Sequence, residues 1–402
     1  WTCRLAQIAL IFSMYLLGLT DVEAADAPAD STQTPSFHGP IRAADVEPHV
    51  RFLADPRLEG RGGERGKRLA RNYLIQQYAA WGLKPLFGPD KFTQAIAGPV
   101  DDQGRRTVRG YNVGAWLPGS DPELRKEFII VSAHYDHLGI RGGRVYPGAD
   151  DNASSVAMVL ETARQLATAA QPPRRSIVFL NFDLEENMLW GSRWFASHPP
   201  WPLEQVKLFI TADLLGRSLG DLPMQAGFVI GSERAPSLRN AIAQAGTPRG
   251  LQVRRLGADL IGTRSDYGPF RDREIPFLFF STGEHPDYHT TRDTADRIDY
   301  EKLANISSLV LGIVQRVADE DKPPQWTTKV TPDIEEVKTI HDITTQILAA
   351  DEAGDLDLGS VQRFFVSNIH TKVASILERG ELRPDERPWL VRSAQFLLIS
   401  VF

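Results

Sequence analysis

The chain has 402 residues, 42% of them hydrophobic, which is enough to bury one large core and to carry a smaller appended segment. Its formal net charge is −6, and it shows no stripe of basic residues. This charge balance excludes a typical nucleic-acid-binding surface or a polybasic membrane surface. We therefore expect no nucleic-acid partner.

The N-terminal segment predicts export. Arg4 precedes an apolar stretch over residues 5–19, and residues 22–25 offer small side chains for signal-peptidase cleavage. The apolar run is short for a membrane-spanning helix, so a cleaved signal peptide over residues 1–25 is favoured over an uncleaved anchor. We expect a periplasmic or extracellular protein with no stable membrane association after cleavage. Cys3 is the only cysteine and precedes this stretch, so a metal site in the mature chain would use no Cys ligand.

The pattern after the signal predicts an α/β fold. Residues 26–43 are rich in Ala, Asp, Ser, Thr and Pro and are expected to form a disordered spacer. Helical periodicity favours helices at 47–53, 66–81, 155–167, 191–196, 237–245 and 300–319. Continuous apolar runs favour buried strands at 128–132, 176–182, 208–211, 227–231 and 277–280.

This alternation indicates a mixed, mostly parallel central sheet flanked by helices. We assign residues 44–325 to a catalytic domain. Residues 326–402 keep helical periodicity but contain no candidate site, so we assign them to a small helical C-terminal extension.

Five short acidic and histidine-bearing segments carry the chemistry. Most directly follow a predicted strand, and in sheets of this kind ligands bind beyond the carboxyl ends of the strands. So many carboxylates gathered at one place need positive charge, which two divalent metal ions would supply. The segments are residues 133–136, 148–152, 183–186, 211–213 and 285–289.

The candidate metal ligands are N and O donors suited to zinc, with Mn²⁺ or Co²⁺ as alternatives. If one aspartate bridges two Zn²⁺ ions, each ion also receives one histidine and one terminal carboxylate. Such a pair lowers the pKa of a bound water to about 7, which gives a metal-bound hydroxide near neutral pH. Asp150 competes with Asp151 for the bridging position, and His285 competes with His289. The favoured ligands are His134, Asp151, Glu186, Asp213 and His289.

Neighbouring acids suggest supporting roles. Asp136, two residues after His134, can accept the second ring N–H of that histidine and fix its tautomer. Glu185 can stand over the bound water as general base while Glu186 ligates a metal. We interpret His137 and His198 as surface or loop histidines without a function.

Together these segments closely resemble the secreted di-zinc aminopeptidases related to bacterial leucyl aminopeptidase, aminopeptidase Y and glutamate carboxypeptidase II. The resemblance covers residues 44–323 and includes the entry segment 53–62. It implies the zinc exopeptidase fold, with His134 and Asp213 on one zinc, and Glu186 and His289 on the other. Asp151 would bridge the two ions.

By the same resemblance, Glu185 would be the general base and Asp136 would orient His134. Tyr288 would donate to the oxyanion, and the peptide bond between Asp151 and Asn152 would be cis.

The expected function is a secreted binuclear zinc aminopeptidase that acts on peptide substrates. One alternative is a single-zinc acyl transferase of the glutaminyl cyclase type, in which half of the binuclear set is lost. A carboxypeptidase of the same family is another alternative, and Arg217, Arg264, Arg271 and Arg273 keep it open. A binding module on an inactive scaffold is disfavoured, because every expected metal ligand is present.

Overall fold

A computed structural model describes residues 36–37 and 39–401 of the chain. The predicted signal peptide, residues 1–25, lies outside the described residues. The helices are α1 (Ala43–Leu53), α2 (Glu64–Ala80), α3 (Ser155–Ala167), α4 (Trp190–Ser197), α5 (Ser237–Ala245), α6 (Ala258–Ile261), α7 (Gly268–Arg271), α8 (Tyr300–Asp319), α9 (Ile334–Ala353), α10 (Ser360–Arg379) and α11 (Arg387–Ser400). The strands are β1 (Ser36–Phe37), β2 (Lys84–Pro85), β3 (Thr93–Val100), β4 (Arg106–Leu117), β5 (Phe128–His134), β6 (Gly139–Arg141), β7 (Arg144–Tyr146), β8 (Ser176–Phe182), β9 (Val206–Ala212), β10 (Ala226–Ile230), β11 (Thr247–Pro248), β12 (Gln252–Leu256) and β13 (Phe277–Ser281).

The described residues build a central sheet with the order β12-β10-β13-β9-β5-β8-β4-β2, in which β3 also pairs with β4. The four central strands, β13, β9, β5 and β8, run parallel. Strands β4 and β10 pair antiparallel with their neighbours β8 and β13. The predicted α/β class, with a mixed and mostly parallel sheet, is confirmed.

Helices cover both faces of this sheet. On one face, α1, α2, α3, α5 and α8 pack around a core that includes Val50, Leu74, Val159 and Leu309. On the other face, α4, α6 and α7 share a second core with the C-terminal helices α9, α10 and α11. The segment predicted as an extension is helical, as expected, and it packs on the sheet. The described residues form one compact unit.

Among the described strands of five residues or more, the sequence interpretation missed β3, β4 and β12. The first two lie toward one edge of the sheet and contain glycines at 98, 110 and 114, and the first four residues of β4 are exposed. They therefore lack the continuous apolar run that marks the central strands. Within the predicted spacer, β1 pairs in parallel with β11, and α1 begins at Ala43.

Over the described part of the chain, none of the helices combines the length and the apolar character that a membrane span requires.

Candidate metal centre

The candidate site lies where three adjacent parallel strands end. Strand β5 ends at His134, β8 is followed by Glu185 and Glu186, and β9 is followed by Asp213. Because β8, β5 and β9 are neighbours with one direction, their carboxyl ends bring these side chains to the same edge of the sheet. His289 reaches this edge from the loop after β13.

Asp151 lies at the centre of this group, and its two carboxylate oxygens face different partners. Oδ1 lies 3.4 Å from Nε2 of His134. The same nitrogen lies 3.5 Å from Oδ2 of Asp213. Ligand atoms about 2.0–2.2 Å from a tetrahedral zinc lie about 3.3–3.6 Å from one another. His134, Asp151 and Asp213 therefore have the spacing of three ligands of one ion.

The other oxygen of Asp151 faces a second group. Oδ2 lies 3.0 Å from Nε2 of His289, which in turn lies 3.5 Å from Oε2 of Glu186. This geometry places the carboxylate of Asp151 between two clusters of donors, each with a histidine and a terminal carboxylate.

His137 lies in the loop after β5, one of the two predicted alternatives, but its side chain is not at the surface and belongs to the second cluster. Its side chain is fully buried, and Nδ1 lies 2.9 Å from Oε1 of Glu186 and 3.4 Å from Oδ2 of Asp151. Neither ring nitrogen makes a hydrogen bond among the described residues. His198, by contrast, is exposed as expected. The second cluster therefore has four candidate donors, and the first has three.

Two sets of hydrogen bonds hold the loop that carries Asp151. The buried guanidinium of Arg61 donates to the carbonyls of Tyr135 (2.8 Å), Pro147 (2.7 Å) and Gly148 (2.8 Å). Asp293 accepts the backbone N–H groups of Asp150 and Asp151 at 2.8 and 3.1 Å. The peptide bond between Asp151 and Asn152 is cis, as the resemblance implied.

The alternatives for two ligand positions face away from the centre. Asp150 accepts a hydrogen bond from the backbone N–H of Gly216 at 2.6 Å, and its Oδ2 lies 3.4 Å from Nε2 of His285. Asp150 and His285 therefore pair with each other. Asp151 lies between the two clusters, and His289 belongs to the second.

Asp136 contacts both His134 and the turn that carries Glu185 and Glu186. Its carboxylate lies 3.7 Å from Nδ1 of His134, while the hydrogen bond of that nitrogen, at 3.2 Å, goes to the backbone carbonyl of Asp136. The same carboxylate accepts the backbone N–H of Glu185 at 3.1 Å and that of Glu186 at 3.4 Å. Asp136 thus fixes His134 mainly through its main chain and fixes the Glu185–Glu186 turn through its side chain.

The electrostatics of the side chains call for added positive charge. Burial raises the pKa of Glu185 well above its ordinary value and that of Asp213 to about 6. Burial alone would lower the pKa of His134, but the carboxylates of Glu185 and Asp213 outweigh it and raise that pKa well above its ordinary value. Asp266, which the sequence interpretation did not single out, is also buried here. Burial raises its pKa to about 7. Bound divalent cations would neutralise this excess of acid.

Tyr288 stacks on the ring of His289, with centroids 3.9 Å apart. Burial and the carboxylates of Asp151 and Asp213 raise the pKa of its phenol well above the ordinary value. The hydroxyl therefore stays protonated and can serve as a hydrogen-bond donor.

The donor atoms themselves test whether a metal fits. Several buried ones make no hydrogen bond within the described residues: Nε2 of His134, both ring nitrogens of His137, Oε1 of Glu186 and Oδ1 of Asp213. Buried polar atoms normally have partners, and metal ions would provide them here. Two triplets, His134–Asp151–Asp213 and His137–Asp151–Glu186, bring their donor atoms within 4.8 Å of one another.

The family model described as Peptidase family M28 matches residues 112–314, a span that contains both clusters. The chain belongs to this family. Among the curated relatives, three examples each match about half of the chain. Endoplasmic reticulum metallopeptidase 1 of Mus musculus is 27% identical over 199 residues, 48% of this chain and 21% of the relative. Aminopeptidase YwaD of Bacillus subtilis (strain 168) is 27% identical over 222 residues, 50% of this chain and 44% of the relative.

The third relative is glutaminyl-peptide cyclotransferase of Boiga irregularis, 27% identical over 244 residues, 51% of this chain and 66% of the relative. The chain thus spans from a fifth to two thirds of the length of these relatives. Among solved structures, BSAP, a zinc aminopeptidase from Bacillus subtilis, aligns with a TM-score of 0.54 at 16% identity, covering 73% of this chain and 100% of that chain. At this identity, the likeness shows a shared fold and no more.

Proposed function

We propose that this M28 chain is an exported binuclear zinc aminopeptidase, which hydrolyses N-terminal peptide bonds of peptide substrates. The observation that carries the proposal is the position of Asp151, whose two oxygens face two separate donor clusters at 3.4 and 3.0 Å from a histidine nitrogen. A single-metal enzyme would need only one cluster.

The proposed ligands follow from this geometry. His134, Asp151 and Asp213 would hold one ion, and Asp151, Glu186 and His289 the other, with His137 as an additional ligand of the second ion. Zinc suits these donors, although Mn²⁺ or Co²⁺ would also fit them. Three protein donors at the first ion leave a coordination position for substrate or water, which is typical of a catalytic zinc.

When bound, the ions would polarise the scissile carbonyl and lower the pKa of the attacking water. The chain's own residues would move the proton. Oε2 of Glu185 lies 4.0 Å from Nε2 of His134, so the carboxylate borders the first cluster without belonging to it. We assign Glu185 as the general base that accepts the proton of the water and returns it to the leaving amine.

Asp136 and Tyr288 would act around this step. Asp136 would position Glu185, because it accepts the backbone N–H of that residue. The protonated phenol of Tyr288 would donate a hydrogen bond to the oxyanion that develops on the substrate carbonyl.

Substitution of Glu185 by Gln tests the base assignment. We expect the variant to keep its zinc and to lose aminopeptidase activity by several orders of magnitude, because the amide cannot accept the proton. Metal content and hydrolysis of aminoacyl-anilides would be measured side by side. Retained turnover in Glu185→Gln would refute the assignment.

Glutaminyl cyclase activity is the second candidate, since cyclotransferases are among the relatives. A panel of aminoacyl-anilides, C-terminally free peptides and N-terminal glutaminyl substrates separates the candidates. Chelator-sensitive release of N-terminal residues supports the proposal. Cyclisation of the glutaminyl substrate by a protein with one zinc per chain would replace it, and C-terminal cleavage would indicate a carboxypeptidase.

A further inference from the structure

A cavity of about 250 Å³ opens directly beside the first donor cluster. Asp213 and Tyr288, assigned above as a metal ligand and an oxyanion donor, both line it. A substrate whose scissile carbonyl lies at the metal centre would therefore have this cavity next to it.

The walls of the cavity are mainly apolar and come from two distant parts of the chain. One wall is the face of the sheet, with Phe228 and Ile230 of β10 and Phe279 of β13. The opposite wall belongs to the C-terminal helices. It consists of Ile340 and Ile343 of α9 and of Ala394, Leu397 and Leu398 of α11. Apart from the proposed metal ligand Asp213, the charged groups of the lining are an ion pair of Arg264 with Glu284, whose side chains are both more than two fifths exposed.

An ion-pair network holds the helical wall in place. Arg387, at the start of α11, donates to both carboxylate oxygens of Asp259 at 2.6 and 2.8 Å and to both of Glu336 at 2.9 Å. Asp259 lies in α6, whose Leu260 and Ile261 also line the cavity. The amide of Gln395 donates to the carbonyl of Asp259 at 2.9 Å. The C-terminal helices therefore both line the cavity and fix the segment beside it.

We propose that α9 and α11 form one wall of the pocket for the side chain of the substrate's N-terminal residue, and that this pocket selects large apolar side chains. The inference rests on the proposed aminopeptidase function. An apolar side chain would lose its contact with water in this cavity, whereas a charged one would find no buried partner. The C-terminal segment, which carries no catalytic group, would thus determine specificity.

The test compares leucyl- and alanyl-anilide hydrolysis by the zinc-loaded full chain and its variants. We expect the wild-type protein to favour the leucyl substrate at least about tenfold in kcat/KM. Ala394→Phe places a ring in the cavity and should reduce this preference about tenfold or more, by lowering kcat/KM for the leucyl substrate. Ile399→Phe, on the exposed face of the same helix, is the matched control and should leave the preference unchanged.

A second variant covers the case in which Ala394→Phe does not fold. Ile340→Ala enlarges the cavity from α9 and should shift the preference from leucyl toward phenylalanyl and tryptophanyl substrates. Zinc content and thermal unfolding of each variant identify changes that come from the fold or the metal site.

The outcomes are distinct. If anilides are hydrolysed but neither Ala394→Phe nor Ile340→Ala changes the leucyl-to-alanyl ratio of kcat/KM, the pocket assignment fails while the aminopeptidase function stands. If the zinc-loaded wild-type protein hydrolyses none of the anilides, the proposed function fails and the pocket assignment with it.

Discussion

Glu233 provides a stability prediction that is independent of the metals. This residue follows β10, is 3% exposed, and lies near Asp259 of α6 and Glu336 of α9. Its Oε1 accepts the backbone N–H of Ala258 at 3.0 Å, while Oε2 has no hydrogen-bond partner among the described residues. Burial, with the nearby carboxylates of Asp259 and Glu336, raises the pKa of Glu233 from 4.5 to about 7.

The sign of the effect follows from the two pKa values. Below pH 4.5 both the folded and the unfolded chain carry a protonated Glu233. Between pH 4.5 and about 7, the unfolded chain releases this proton while the folded chain keeps it, so a rise in pH favours unfolding. The contribution of Glu233 to the free energy of unfolding is therefore fully present below pH 4.5 and is lost as the pH rises through about 7.

Glu233→Gln removes this dependence, because the amide is neutral throughout. Each pKa unit corresponds to about 1.4 kcal/mol, so the full penalty in the wild-type chain is roughly 3 kcal/mol. Between pH 5 and pH 8, the free energy of unfolding of Glu233→Gln should therefore rise relative to wild type by roughly 2–3 kcal/mol.

Urea unfolding followed by circular dichroism at several pH values measures the difference. The metal ligands titrate in both proteins, so their contribution cancels when the two are compared. Glu301→Gln, at an exposed position of α8, is the matched control for the loss of a carboxylate. Parallel curves for wild type and Glu233→Gln across this pH range would refute the reasoning.

Three further predictions concern the metal centre. His137→Asn should weaken the affinity for one of two zinc ions by about tenfold or more, measured by competition with a chelator, whereas the control His198→Asn should not. Equal zinc affinities of His137→Asn and wild type would remove His137 from the ligand set. Tyr288→Phe should lower kcat by about 10²–10³ with zinc content unchanged, as expected for loss of an oxyanion donor, and an unaltered kcat would contradict that role. Arg61→Met leaves several buried carbonyls without a hydrogen-bond donor and should reduce the free energy of unfolding, measured by urea titration, by roughly 3–5 kcal/mol. A loss below about 1 kcal/mol would contradict the proposed role of Arg61 in holding this loop.

The central strands and the main site segments were predictable because their signals are local. Strand β8 is apolar except for Ser176 and Asn181, and its predicted bounds, 176–182, match the structure. His134, Glu186 and Asp213 each follow such a run, so the rule for parallel sheets predicted that they would meet at one edge. The structure brings them together with Asp151 and His289.

His137 could not be found in this way. Inside a strand, alternate residues share a face, so His137 would point away from His134. The strand ends at His134, however, and the following turn directs His137 into the same centre. A histidine three residues after a candidate ligand and just past a strand end was the only local signal.

The substrate pocket depends on contacts between distant segments. In the sequence, Ile340 and Leu397 are apolar positions on helix faces like many others. Helical periodicity does not indicate which part of the sheet such positions cover. Only the packing of α9 and α11 over β10 and β13 brings them within reach of Asp213.

Anomalous diffraction at the zinc edge, on crystals of the zinc-loaded protein, tests the central claim most directly. Two peaks should flank the carboxylate of Asp151, one among His134 and Asp213 and the other among His137, Glu186 and His289. A single peak, or two peaks that do not share Asp151, would contradict the binuclear account.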